Sequence, residues 1–299
     1  MYFFKRNKFN KLKSFIQNSK EIQIDIEDRG KLIKLIRPTV GIKTKPGSDK
    51  NIKVGKSKIG GKPDLPQDFE WPEANGKPML FCAQYNLSEF TKYDIENILP
   101  PKGFFYIFLS TDQEWNDGFG INQPFKLLYS KNENVIRTDL PDKLDDSQTF
   151  KGALIEYFEF YTLPDDENYR LNEFDEKYHD FYFDFYQPTG DYIVDELYTD
   201  SIGFHQILGY DRAIQSSVVY DFASKELGLY GVAVSEHQKR WNDILELSKI
   251  YELLLQLDCG DPNTNLSEFW GDGTYYFGLS QNNLANRDFN DIKMTYQGT

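Results

Sequence analysis

The chain predicts an α+β fold of mostly antiparallel sheet, internally duplicated over about 79–130 and 250–297, with a few peripheral helices. Three observations predict it. Aromatic residues make up 16% of the 299 positions, with 24 Phe and 20 Tyr, and broad rings fit a pleated, half-buried surface. A glycine-led aromatic run, GFFYIFLS (Gly103–Ser110), is echoed by GTYYFGLS (Gly273–Ser280), and their flanks match in order. FCAQYN (Phe81–Asn86) faces LLLQLD (Leu253–Asp258), with Gln84 against Gln256. Asp117-Gly-Phe119 faces Arg287-Asp-Phe289, and FKLLYS (Phe125–Ser130) faces IKMTYQ (Ile292–Gln297). Finally, the strand–helix alternation of a parallel nucleotide-binding sheet is absent. The whole reads as one compact domain over 1–299.

Taken in order, residues 8–19 place Phe9, Leu12, Phe15 and Ile16 at helical spacing, with lysines opposite. EIQIDIED (21–28) alternates strictly and KLIKLIR (31–37) nearly so, around Arg29-Gly30, which predicts a hairpin. Residues 1–56 are thus expected to be a basic N-terminal helix and hairpin, with Thr39–Lys58 as a linker loop rich in Gly, Pro, Lys and Ser. From Ser57, Gly60-Gly61 and the prolines at 63, 66, 72 and 78 forbid regular structure until a strand at 79–86. Ser88 to Leu99 is expected as a helix stopped by Pro100-Pro101. Strands follow at 103–110, 124–130, 133–138 and 151–161.

Residues 139–200 form an acidic, Tyr/Phe-rich stretch whose aromatic content is too high for a disordered tail. An ordered insertion, partly helical around 172–183, is expected there. HQILGY is a glycine-containing turn leading to a helix over 211–226. Ser235 opens a second helix to about Leu247, with Trp241, Ile244 and Leu245 towards the core. The chain then enters the strand IYELLLQLD.

The net charge of −13 conceals an asymmetry. Residues 1–62 hold 17 Lys and Arg against 5 Asp and Glu, whereas 139–200 hold 18 acidic residues against 4 basic. The simplest reading is mutual attraction of head and insertion; the sharper one is an acidic face that meets a basic partner protein. Nucleic acid is a poor partner, since the acidic remainder repels phosphate. No run is apolar and long enough for a signal peptide or a membrane span. Two cysteines, Cys82 and Cys259, make no disulfide framework, so a cytoplasmic location is expected.

SKIGGKPDLP…WP…GKPMLFCAQYNL, LPPKGFFYIFLS, HQILGY and LLLQLD…WGDGTYYFGLS followed by a final DF resemble, in this order, the YwqG-like family (domain of unknown function 1963). The resemblance covers about Ser57 to the end. It implies a bacterial intracellular protein with two related sheet units and transfers no established activity; an immunity-like or partner-binding role is what it admits. The basic head and the acidic middle depart from the shorter members.

Candidate ligand-binding residues come from the polar positions beside the repeat. Gln84 with Asn86, and Gln256 with Asp258, share one face of equivalent strands; they can line a pocket or satisfy a crossing loop. His205 and Gln206 open HQILGY, where an imidazole can bind a ligand or hydrogen-bond a turn. In Trp270-Gly271-Asp272-Gly273, Asp272 can cap a tight turn or act as a carboxylate, and Trp270 can stack. Asp261, Asn263 and Asn265 have the odd-position spacing of a calcium loop, but Leu266 stands where that loop needs glycine, and Asp-Pro-Asn turn chemistry explains them equally. No H-E-x-x-H, CxxC, G-x-S-x-G, P-loop or dinucleotide fingerprint occurs. No catalytic residue and no cofactor are therefore assigned. A non-enzymatic binding, immunity-like or regulatory protein is the first expectation, and a hydrolase-type enzyme or small-ligand binder with a polar pocket between the repeat units is the alternative.

Overall fold

The structure, a computed structural model, describes residues 7–110, 125–144, 148–198, 204–230 and 232–298. Asp117–Phe119, matched above to Arg287–Phe289, lies outside them. Helix α1 (Asn7–Asn18) buries Leu12 and Ile16, as its spacing requires. Helix α2 (Ile26–Ile33) stands where a hairpin was expected. Ile22 and Ile24 do enter the core, but as an extended lead-in. The chain then winds, with Glu27 and Asp28 in the first turn and Lys31 in the last, charges that suit the helix dipole. Arg29 fastens the corner by donating to the carbonyls of Ile16, Gln17, Ser19, Ile22 and Ile24.

The segment expected as a linker opens with the central strand of the sheet, β1 (Arg37–Pro46). Val40 and Ile42 are buried. Gly41 belongs to this strand because the Phe158 ring lies 2.4 Å from where its Cβ would stand. After it come the two-residue pieces β2 (Lys58–Ile59), β3 (Asp64–Leu65), β4 (Glu73–Ala74) and β5 (Lys77–Pro78). The glycines and prolines between them permit no more. Next are β6 (Leu80–Asn86), α3 (Leu87–Phe90), β7 (Phe104–Leu109), β8 (Phe125–Ser130), β9 (Ile136–Arg137) and β10 (Ala153–Thr162). Helix α3 is one turn, not the helix expected to Leu99. Asn86 caps it, and the remainder turns about Asp94, whose carboxylate accepts from the Ile98 and Leu99 amides.

Much of the acidic stretch 139–200 is regular among the described residues. It contains α4 (Asn172–Lys177) and a winding over 181–197 with α5 (Gln187–Tyr192) at its centre. Either side of α5 the winding is π-helical, at Tyr182–Tyr186 and Ile193–Leu197. Pro188 accounts for the first widening: it has no N–H for the Asp184 carbonyl, and the Gln23 amide donates there instead (2.8 Å). The remaining elements are β11 (His205–Ile207), α6 (Val218–Glu226), α7 (Val234–Lys239), α8 (Trp241–Ser248), β12 (Tyr251–Asp258), α9 (Ser267–Trp270), β13 (Gly273–Ser280), α10 (Gln281–Asn286) and β14 (Lys293–Gly298). Helix α6 starts late because the Ile214 and Gln215 amides donate to Gln297. The helix expected over 235–247 is two, divided at Arg240, and Trp241, expected in the core, is 43% exposed against Tyr220.

Ten strands form one sheet in the order β14-β13-β12-β11-β1-β10-β2-β6-β7-β8, antiparallel at every pairing. The fold is α+β with predominantly antiparallel sheet. From the central β1–β10 pair outwards the order reads alike in both directions: a short strand, a glutamine strand, a glycine-led aromatic strand and an edge. The sheet curls so that both flanks share one core. Tyr85, Phe105 and Leu127 of one flank and Leu257, Tyr275 and Phe277 of the other belong to it, and the Phe125 and Phe277 rings lie 5.7 Å apart. A second core joins head to insertion, with Leu12, Ile22 and Leu32 packed with Phe174, Phe181 and Phe185. Lys177 of the acidic stretch holds Asp25 and Asp28 of the head, opposite to the overall charges, whereas Lys45–Glu156 and Lys62–Asp139 run with them. Among the described residues no helix is long and apolar enough to cross a membrane.

Candidate functional site

The two glutamines act as staples. Gln84 on β6 accepts from the Asp64 amide (2.7 Å) and donates to the Lys56 carbonyl (2.8 Å) and the Asp64 carboxylate (2.8 Å). Gln256 on β12 accepts from the Arg212 amide (3.1 Å) and donates to the Phe204 carbonyl (2.8 Å). In each case a buried side chain ties both ends of a loop that runs over its strand. The correspondence extends outwards. Tyr106 and Tyr276 donate to the Asp64 and Arg212 carbonyls. Lys58 donates through Nζ to the Lys62 carbonyl, and Gln206 through Nε2 to that of Tyr210. Gly60 and Gly61 have positive φ, as do Leu208 and Gly209. At Gly209 an added Cβ would stand 2.0 Å from Thr39 Oγ1, which only glycine avoids.

The other strand residues also serve turns. Asn86 caps α3 and donates to the Gly55 carbonyl, and Asp258 accepts from the Gly260 and Phe204 amides. His205 is fully buried on β11, in the strand that precedes the Leu208–Gly209 turn it was expected to open. Its Nε2 lies 2.9 Å from Asp261 Oδ2, and its Nδ1 accepts from the Asp258 amide. Asp261 further accepts from Thr44 Oγ1 and the Asn263 amide. Its carboxyl lies below the ordinary value of 3.8: desolvation works against ionisation, and the His205, Thr44 and Asn263 hydrogen bonds outweigh it. Asn265 accepts from the Lys151 amide, so the loop read for calcium spacing is built as turns around a His–Asp pair. Among the described residues no cluster of three His, Cys, Asp or Glu side chains is placed to hold a metal ion. Trp270 is buried at the end of α9, its ring near Phe150 and Tyr275, and Gly271 turns with φ 75° before Asp272.

Of the candidate ligand-binding residues, Gln206 lines a cavity. About 210 Å³ of space lies between the 181–197 winding and the neighbouring end of the sheet. The winding contributes Phe185, Tyr186 and Thr189; β10 and β11 contribute Phe160, Thr162 and Gln206; the turn after β11 contributes Tyr210, Asp211 and Arg212. Local sequence places them. The positive-φ pair Leu208–Gly209 reverses the chain, and Thr162 Oγ1 receives the Tyr210 amide (2.8 Å), which brings Asp211 inwards. Asp211 is buried and accepts from the Val218 amide (3.2 Å). Behind it Asp165, also buried, accepts from the Tyr186 hydroxyl (3.3 Å). Burial first, and the Asp211 charge second, push the Asp165 carboxyl far above the usual carboxylate range. Burial raises Asp211 in the same sense. The Arg212 guanidinium lies over the Phe204 ring, 3.7 Å from its centroid. Thr189 Oγ1, wholly buried, has no hydrogen-bond partner among the described residues.

Asp165, Asp211 and Thr189 belong to no motif, and their meeting depends on the insertion folding back onto the sheet. A local signal did exist at Pro188, inside an otherwise helical aromatic run, since such a proline forces a helix to widen. The family profile described as Domain of unknown function (DUF1963) matches residues 57–298. No curated protein matches the chain.

Proposed function

The chain belongs to the DUF1963 family, a domain of unknown function, and from that premise we propose that it is a non-enzymatic binding protein whose cavity beside Gln206 receives a small polar ligand. The observation that carries this reading is the Thr189 hydroxyl. A buried polar group without a partner costs about 1–3 kcal/mol, and Thr189 is one of the residues that line the cavity, whose walls are mainly apolar with a few polar groups. The π-helical widenings on both sides of Thr189 support the reading, because such distortions recur at functional sites. Calorimetric titration of small polar compounds tests it: at least one binds the wild type, and Thr189→Val loses that binding while its unfolding midpoint holds or rises. A compound set that binds nowhere, with a stabilised Thr189→Val, would leave the cavity a packing defect.

The two flanks of the sheet are, in this reading, copies of one unit, YwqG-like in origin; the matched glutamine staples support it. The insertion is what distinguishes the second flank and adds the cavity. A hydrolytic site made of Gln84, Gln256, His205 and Asp272 has less support, because the first three are buried and committed to backbone or to Asp261. A second reading, an interaction protein that meets a basic partner, rests on Tyr182 and Phe183. These are 45% and 66% exposed on the acidic winding. Pull-down at low salt that recovers a basic protein, and loses it in Phe183→Ser, supports this reading; recovery unchanged by salt and by Phe183→Ser counts against it.

A further inference from the structure

We propose that the cavity beside Gln206 takes a small primary ammonium ion, the charged end of an organic amine. This deepens the ligand-binding reading above and rests on it. Size sets the first limit. A cavity of roughly 150 Å³ admits benzene, so 210 Å³ suits a ligand of about eight heavy atoms.

Hydrogen-bonding capacity sets the second. Several donors on the walls are already engaged. Gln206 Nε2 donates to the Leu208 and Tyr210 carbonyls, Tyr186 to Asp165, and Tyr198 to the carbonyls of Ile42 and His205. What such groups have left to offer is acceptor capacity: hydroxyl lone pairs, an amide oxygen and the Asp211 carboxyl. Thr189 Oγ1 adds an acceptor with no partner among the described residues. A ligand that satisfies these groups must itself be rich in N–H donors. A primary ammonium has three, and a quaternary one has none.

Charge and ring chemistry agree. Asp211 inside and Asp191 at the exposed mouth are acidic, and the walls present the rings of Tyr182, Tyr186, Phe204 and Tyr210. Ring faces attract cations, most strongly where water is excluded. An anion would meet the Asp211 carboxyl with few donors to compensate. Among the described wall residues Arg212 is the cation, and its guanidinium already occupies the Phe204 face.

Calorimetric titration of the full chain at neutral pH, with phenethylammonium and with 2-phenylethanol of matched shape, tests the assignment. The amine is expected to bind at least about tenfold more tightly than the alcohol. Thr189→Val and Asp211→Asn are each expected to weaken the amine about tenfold and to leave the alcohol within about twofold. Both substitutions lie in packed regions, so Arg212→Gln at the exposed mouth supplies a variant with little risk to folding. It is expected to strengthen the amine a few-fold, by removing a like charge, and to leave the alcohol unchanged. Equal binding of amine and alcohol overturns the ammonium assignment while leaving the ligand cavity standing. Failure of both probes, with another compound still bound in a Thr189-dependent way, does the same. Amine binding unmoved by Asp211→Asn and Arg212→Gln overturns it as well.

Discussion

Replacing Gln84 by leucine removes a staple and keeps its volume. The Asp64 amide and the Lys56 carbonyl then have no partner from that side chain. The Asp64 carboxylate loses one donor but keeps the Gly55 amide (2.9 Å) and Arg137. Two backbone groups are thus orphaned, the Asp64 amide in a buried site and the Lys56 carbonyl in a half-buried one. At about 1–3 kcal/mol each, less a partial offset from the more apolar leucine, the cost is about 3 kcal/mol. Gln256→Leu orphans the Arg212 amide and the Phe204 carbonyl in the same way, and so costs about the same. Urea unfolding followed by tryptophan fluorescence reads both as shifts in midpoint at constant slope. A cost below about 1 kcal/mol in either variant would refute the view that these glutamines hold the loops. So would a difference above about 2 kcal/mol between them, because the two staples engage like groups.

Three further outcomes follow from the structure. Folding raises the Asp165 carboxyl above its unfolded value, so the stability it contributes is fully present below about pH 3.8 and is lost as pH rises through the neutral range. Asp165→Asn should therefore be stabilised relative to wild type by an amount that grows with pH, measured as thermal midpoints across a pH series; a constant difference would count against the burial argument. Gly190→Ala adds a methyl in open space within α5 and should raise stability by about 0.5–1 kcal/mol in chemical denaturation. Arg29→Lys keeps the charge but cannot reach five carbonyls with one ammonium, so the head should open more readily, by about 2 kcal/mol in amide hydrogen exchange of residues 12–24, with the central sheet unaffected.

The outer strands were legible because their apolar and aromatic runs are bounded by glycines and prolines: Leu80–Asn86, Phe104–Leu109, Tyr251–Asp258 and Gly273–Ser280 lie where those runs lie. The central strand was not, because Lys43 and Lys45 and the prolines at its ends imitate a loop, while its burial comes from partners far along the chain, β10 and β11. Alternation misled at Ile22, Ile24 and Ile26: the first two are buried, but Ile26 is 83% exposed and already helical. The sequence marked Gln84 and Gln256 as polar groups in apolar strands and Gln206 as the opening of a glycine-containing turn. It could not tell which faced a cavity, since that is decided by whether a loop or the 181–197 winding lies above each one.

The position of β1 has a consequence for any attempt to isolate the family unit. The matched span starts at residue 57, yet Arg37–Pro46 pairs with β10 along its length and with β11 from Val40 to Ile42. A chain begun at Ser57 would carry a slot one strand wide through the middle of its sheet, flanked by two unsatisfied edges. Such edges invite association between copies. They also invite repair in trans: a synthetic peptide of residues 37–46 has the length and pattern to act as a donor strand. The protein thus lends itself to a split, two-component form in which assembly itself reports that the sheet is whole.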